Sequence, residues 1–145
     1  MPEGGTVLAF DYGTQRVGVA VGEPRLGTAH ALAGIAASGD RLMSAVAALV
    51  AEWRPARLVV GVPVDAQGAA HDMTRRAERF ARQLEARFRL PVARVDERYS
   101  SVEAESRLRA VAGARRAARA SRGRALDSAA ARVILEQYLS EAARS

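Results

Sequence analysis

Acidic residues at three separated places in this 145-residue chain have the types and settings that chemistry on phosphates requires. Asp11 closes an apolar run, Val7-Leu8-Ala9-Phe10. The pair Asp96-Glu97 closes a second, Val92-Ala93-Arg94-Val95. Asp127 stands just before an apolar-periodic stretch that begins at Ser128. A charge is costly to bury unpaired within a strand, which favours acids at element ends. Each acid also has a purely structural explanation. Asp11 could be a turn residue bonded to its own backbone. Asp96 or Glu97 could pair with Arg98 or Arg94, and Asp127 could be an N-cap worth about 1 kcal/mol. Taken together they suggest more. Clustered anions repel one another, and a divalent cation is the usual remedy, with Mg²⁺ and Mn²⁺ preferring carboxylate and water oxygens. Two such ions about 3.5–4 Å apart can clamp the attacking and leaving oxygens of a phosphodiester.

The basic residues point to the same kind of substrate. The net charge is +6, and all 22 basic residues are arginine. Seven of them, Arg107, Arg109, Arg115, Arg116, Arg119, Arg122 and Arg124, fall between Glu105 and Asp127, where there is no acid at all. The other 15 nearly balance the 16 acids, so the excess charge is concentrated in this one segment. The planar guanidinium fork suits phosphate oxygens, and a concentrated basic segment is the footprint of a polyanionic partner. The structural alternative is a solvated basic loop.

The elements that must position these residues can be read in order. Val7 to Asp11 and Val17 onwards form two β-rich runs around a short Gly-bearing segment, the signature of an antiparallel hairpin. Gly22 to Leu26 reads as a loop and Gly27 to Ala36 as a third strand. Ser38 or Asp40 can cap a helix running to about Trp53, with Leu42, Val46, Leu49 and Trp53 as its buried stripe and Pro55 as its stop. Arg57 to Pro63 is a nearly continuous apolar run, as expected of a strand covered on both faces. After a loop over 64–68, a second helix presents Met73, Ala77, Phe80, Leu84 and Phe88 on one face; Arg75, Arg76, Arg79 and Arg82 lie off that stripe and read as a solvated face. Pro91 to Val95 is the next strand. Ser100 or Ser101 opens a third helix, and Ser100 with Glu103 fits a capping box, which gives Glu103 a structural role. Residues 113–125 have no large apolar side chain and cannot bury a core face. A last helix from Asp127-Ser128 buries Ala130, Ile134, Leu135, Tyr138 and Leu139. Early hairpins followed by βαβ crossovers predict an α/β protein, a mixed five-stranded sheet flanked by helices. Parallel neighbours release their C-terminal ends at one edge, where the acids could converge.

Size and composition set outer bounds. A chain of 145 residues, 49% hydrophobic, is enough for a single domain with a real core, expected to span 1–145. With no cysteine, disulfide scaffolds and thiolate metal sites are excluded. No apolar run approaches the roughly 20 residues of a membrane span, and no signal-peptide pattern opens the chain. The expectation is a cytoplasmic protein with no membrane partner.

Four stretches resemble one family: Phe10-Asp11-Tyr12-Gly13-Thr14-Gln15-Arg16-Val17-Gly18-Val19-Ala20, Val60-Gly61-Val62-Pro63, Asp96-Glu97-Arg98-Tyr99-Ser100-Ser101-Val102-Glu103-Ala104 and Leu126-Asp127-Ser128-Ala129-Ala130. In order and across nearly the whole chain, they are similar to the YqgF (RuvX) family, described as Holliday-junction resolvases and as pre-16S rRNA nucleases. The resemblance implies an RNase H-like fold and implies Asp11, Glu97 and Asp127 as the metal-binding catalytic carboxylates. It also implies a role in maturing the 5′ end of 16S rRNA or in processing branched DNA. Where the family commonly has an Asn-bearing, Asp-Gly loop, this chain has Asp65-Ala66-Gln67-Gly68. Where the family tends to carry Lys before the last Asp, it has Ala125-Leu126.

The leading expectation is a Mg²⁺- or Mn²⁺-dependent endonuclease on structured nucleic acid, pre-16S rRNA or branched DNA, with Arg16, Arg98, Arg115, Arg116, Arg119, Arg122 and Arg124 gripping the backbone. Thr14, Asp96, Ser101, Glu103 and Ser128 are secondary candidates. A monomer and a homodimer are both compatible with this, and two-fold symmetry would suit a four-way junction. Two other readings come from different classes. Asp-x-Gly-Thr at 11–14 resembles the first phosphate loop of the actin and sugar-kinase superfamily, although one domain cannot close that superfamily's two-domain cleft. The arginine-rich segment alone would suffice for a non-catalytic RNA-binding ribosome-assembly factor.

Overall fold

In a computed structural model, residues 5–13, 15–63, 72–97 and 128–143 are described, Glu97 by its backbone only. They form β1 (Val7–Asp11), β2 (Val17–Glu23), β3 (Thr28–Ile35), α1 (Gly39–Trp53), β4 (Arg57–Pro63), α2 (Asp72–Phe88), β5 (Val92–Glu97) and α3 (Ala129–Ala143). The strands build one five-stranded sheet in the order β3-β2-β1-β4-β5. β1 pairs antiparallel with β2, from Val7 opposite Gly22 to Asp11 opposite Gly18, and parallel with β4 on its other side. β4 pairs parallel with β5 as far as Pro63 opposite Glu97. The predicted mixed sheet with flanking helices is therefore the observed one.

Both faces of the sheet are covered, and strand alternation sorts side chains between them. Leu8, Phe10, Val19, Leu58, Val60 and Val62 face α1 and α2, where they meet Leu42, Val46, Phe80 and Leu84. Val7, Ala9, Ala20, Val59 and Val95 face α3, where they meet Ala131, Ile134, Leu135 and Leu139. The expected apolar character of β4 follows from this, since Leu58 to Val62 is buried throughout. Phe80 fixes α2 over β1: its ring lies edge-on to Phe10 at 5.8 Å and tilted against Tyr12 at 5.0 Å.

Several local expectations are refined. β2 runs on through Gly22 and Glu23, and the turn begins only at Pro24, where Leu26 and Gly27 donate their N–H groups to the Glu23 carbonyl. Gly22 lies in the strand because a Cβ there would meet the Thr28 carbonyl at 2.5 Å and Leu135 at 2.9 Å; its bareness lets α3 approach. Ser38 sits at the N-cap of α1 but makes no side-chain cap bond. The helix ends at Trp53 because Arg54 turns left-handed (φ 47°) ahead of Pro55, which disfavours a helical residue before it. On α2 the buried first-turn position belongs to Thr74 rather than Met73, and its hydroxyl donates to the Pro63 carbonyl, tying the helix to the end of β4.

The edge strand β5 is held to α2 by Arg94, which the sequence reading offered as a partner for Asp96 or Glu97. Arg94 instead reaches Glu85 at 2.7 Å and Glu78 at 3.3 Å. The hydrogen bond from Arg94 holds the Glu85 carboxyl below its ordinary value and raises the guanidinium above its own. The predicted third helix over Ser100–Glu103 and the arginine-rich 113–125 segment lie outside the described residues. Because Phe80 is buried against two other aromatic rings, Phe80→Ala is expected to cost about 3–5 kcal/mol of unfolding free energy by urea denaturation.

Candidate active site

The turn after β1 determines how Asp11 is presented. A Cβ at Gly13 would come within 2.6 Å of the Arg16 carbonyl oxygen, so only glycine allows the chain to fold back so tightly. Asp11 is half-buried at the strand end, and by alternation it shares the α3 side of the sheet with Val7 and Ala9. Position 97 ends β5 at the same C-terminal edge and has the strand parity of Ala93 and Val95, which belong to the α3 side. Only β4 separates the two strands, two strand spacings or about 10 Å. The side chain of Glu97 and all of Asp127 lie outside the described residues.

The beginning of α3 is fixed at the same place. Ser128, fully buried, accepts a hydrogen bond at 2.8 Å from the backbone N–H of Val19. Val19 is paired with Phe10, next to Asp11, and stands where the β2–β3 register shifts. A buried N–H at such an irregularity needs a partner, and the hydroxyl supplies one. Ser128, a secondary candidate from the sequence, thus has a definite structural role as the clamp that docks α3 on β2. Asp96 is exposed, one residue before the end of β5, and Arg16 is exposed immediately before β2. Thr14, Arg98, Ser101, Glu103, Arg115, Arg116, Arg119, Arg122 and Arg124 lie outside the described residues. Among the described residues no group of three His, Cys, Asp or Glu comes together as a metal site.

Sequence reasoning passed over the other side of the same edge. Tyr12, directly after Asp11, helps to line a groove of about 550 Å³ between the first turns of α1 and α2, with Arg75, Arg76 and Arg79 along its wall. These arginines are exposed, as expected. Their (i, i+4) spacing was visible, but their nearness to Tyr12 depends on how α2 docks.

A β3-β2-β1-β4-β5 mixed sheet with helices on both faces is the RNase H-like fold. T. thermophilus RuvC in complex with a Holliday junction substrate matches this chain with a TM-score of 0.53, at 15% identity, over 95% of this chain and 96% of that one. The match to the model for RuvX, Holliday junction resolvase, covers residues 5–141, and the chain belongs to that family. Proteins of Burkholderia lata and Burkholderia cenocepacia, each named "Putative pre-16S rRNA nuclease", are 52% identical over 141 residues, 94% of this chain and 89% of theirs. Among the described residues no helix is long and apolar enough to cross a membrane.

The Ser128 clamp can be tested directly. Ser128→Ala leaves the Val19 N–H buried without its acceptor, and the expected cost is about 1–3 kcal/mol by urea denaturation, with the slope unchanged.

Proposed function

We propose that this protein is a divalent-metal-dependent endonuclease of the cytoplasm, one domain over residues 1–145, acting on structured nucleic acid. Its substrates are the 5′ end of pre-16S rRNA, four-way DNA junctions, or both. The observation that carries the reading is the shared edge: β1 and β5 flank β4 in parallel and end there, at Asp11 and Glu97. Asp127 is joined covalently to Ser128, the residue clamped to Val19 at that edge. Family membership and the naming of the relatives support the same reading.

In this proposal Asp11, Glu97 and Asp127 hold Mg²⁺ or Mn²⁺. The donor set suits them, since it is made of hard carboxylate oxygens in a chain with no cysteine. When bound, the ion supplies positive charge against the negative charge that develops on the phosphate oxygens during hydrolysis. The chain's own residues do the rest. Asp11 is set on a strand whose neighbours on both sides are hydrogen-bonded to it, so its carboxylate is preorganised rather than recruited. Arg16, Arg98 and the arginines at 115, 116, 119, 122 and 124 bind flanking phosphates. Phosphate contacts position a substrate without reading its sequence, which leaves selection to substrate shape.

Cleavage should be assayed with Mg²⁺ and with Mn²⁺, on a four-way DNA junction beside a 16S precursor fragment. Asp11→Asn is expected to abolish cleavage of whichever substrate the protein cuts while leaving its affinity within about threefold, since it removes a metal ligand and no phosphate contact. Metal-dependent cutting that survives in this variant would refute the assignment. Deleting residues 115–124 is expected to weaken binding and flatten its salt dependence, because fewer counterions are released.

A further inference from the structure

The α1–α2 groove has no role in the site described above, yet it starts one residue beyond Asp11. Tyr12 is half-buried in its lining, with its ring 5.0 Å from that of Phe80. Arg75 and Arg79 lie one helical turn apart on its wall, and neither has a carboxylate partner among the described residues. Arg76 is different: its Nε lies 2.9 Å from Asp72, so that acid is already engaged. Asp40, in the first turn of α1, is the other acid in the lining. The groove therefore offers two guanidinium forks with no carboxylate partner among the described residues, and one aromatic ring with a polar tip.

This combination suits one kind of ligand. Arginine forks match phosphate oxygens, and an aromatic platform beside a basic track is how single-stranded nucleic acid is held without regard to sequence. A space of about 550 Å³ is the size of a small-ligand pocket. It takes one or two nucleotides of a strand and is far too small for a duplex. We propose that the α1–α2 groove binds the single-stranded segment flanking the scissile phosphate, with Arg75 and Arg79 on successive phosphates and a base against Tyr12. The strand would then pass from the α3 side of the sheet edge, at Asp11, round to the α1–α2 side. This inference rests on the nuclease reading and adds to it a second binding surface, with a preference for substrates that carry an unpaired flank.

The test uses the full chain carrying Asp11→Asn, so that binding is read without cutting. Affinity is measured by fluorescence anisotropy for one junction or hairpin substrate made with unpaired flanks of increasing length, over a range of salt concentrations. Adding the flank should strengthen binding. The Arg75→Ala/Arg79→Ala double variant should lose about tenfold on flanked substrate and almost nothing on the blunt one. The magnitude of its salt slope should fall by about 1.4, two contacts at about 0.7 each on a single strand. Tyr12→Ala should also lose the gain from the flank, and Tyr12→Phe should keep it; thermal melting followed by circular dichroism confirms that both fold. Arg82→Ala/Arg87→Ala, on the same helix but outside the groove, is the charge control and should behave as the parent. The inference is overturned if the Arg75/Arg79 variant binds the flanked substrate as the parent does, or if the control loses as much. If the wild-type protein binds the flanked substrate through these residues but cuts nothing, the nuclease reading fails and the groove stands.

Discussion

Covering both faces of a sheet leaves no place inside its strands for an uncompensated charge. β1 shows the constraint most plainly: Val7 to Phe10 are buried on alternate sides, and the first carboxylate comes at Asp11, where the cover ends. β4, sandwiched in the same way, carries no acid at all. Charges are thereby displaced to strand ends. Because β1, β4 and β5 run parallel, their C-terminal ends gather on a single edge. Asp11 and Glu97, the last residues of β1 and β5, therefore stand at that edge.

What the edge can do depends on how firmly its surroundings are held. On one side the buried bond from the Val19 N–H to Ser128 fastens the start of α3 beside β1. On the other, Thr74 bonds the Pro63 carbonyl and Phe80 packs on Phe10 and Tyr12, so the first turns of α2 are fixed at the end of β4. Arg94 makes the edge strand part of the same frame through Glu85 and Glu78. None of these contacts requires a ligand. The backbone positions around Asp11 are settled before any substrate arrives, which is the condition under which electrostatic stabilisation costs no reorganisation.

The local elements were legible where one physical signal dominated. The apolar run of β4, the stripe of α1 and the hairpin around Gly13 each follow from periodicity or turn chemistry within a few residues. The misreadings came where two signals competed. Gly22 looked like a loop residue because glycine usually marks one, but here it makes room for Leu135. Arg94 was one of two arginines open to Asp96 or Glu97 by nearness in sequence, but its strand turns it towards α2. Thr74 was passed over for Met73 because a hydroxyl does not count towards an apolar stripe, yet it is buried by bonding a carbonyl.

Among the described residues the sequence by itself determined the kinds of element and that Asp11 and Glu97 end their strands, and it placed the concentration of arginine before Asp127. Those properties depend on residue type and near-neighbour spacing, which are written in the chain. Only the tertiary structure decided that β1 and β5 flank the same strand, that Ser128 is a clamp, and that Arg75 and Arg79 border the same groove as Tyr12. Those outcomes depend on pairing register and on the angle at which helices dock. Both are set by burying many side chains at once, and no single stretch of sequence carries that information.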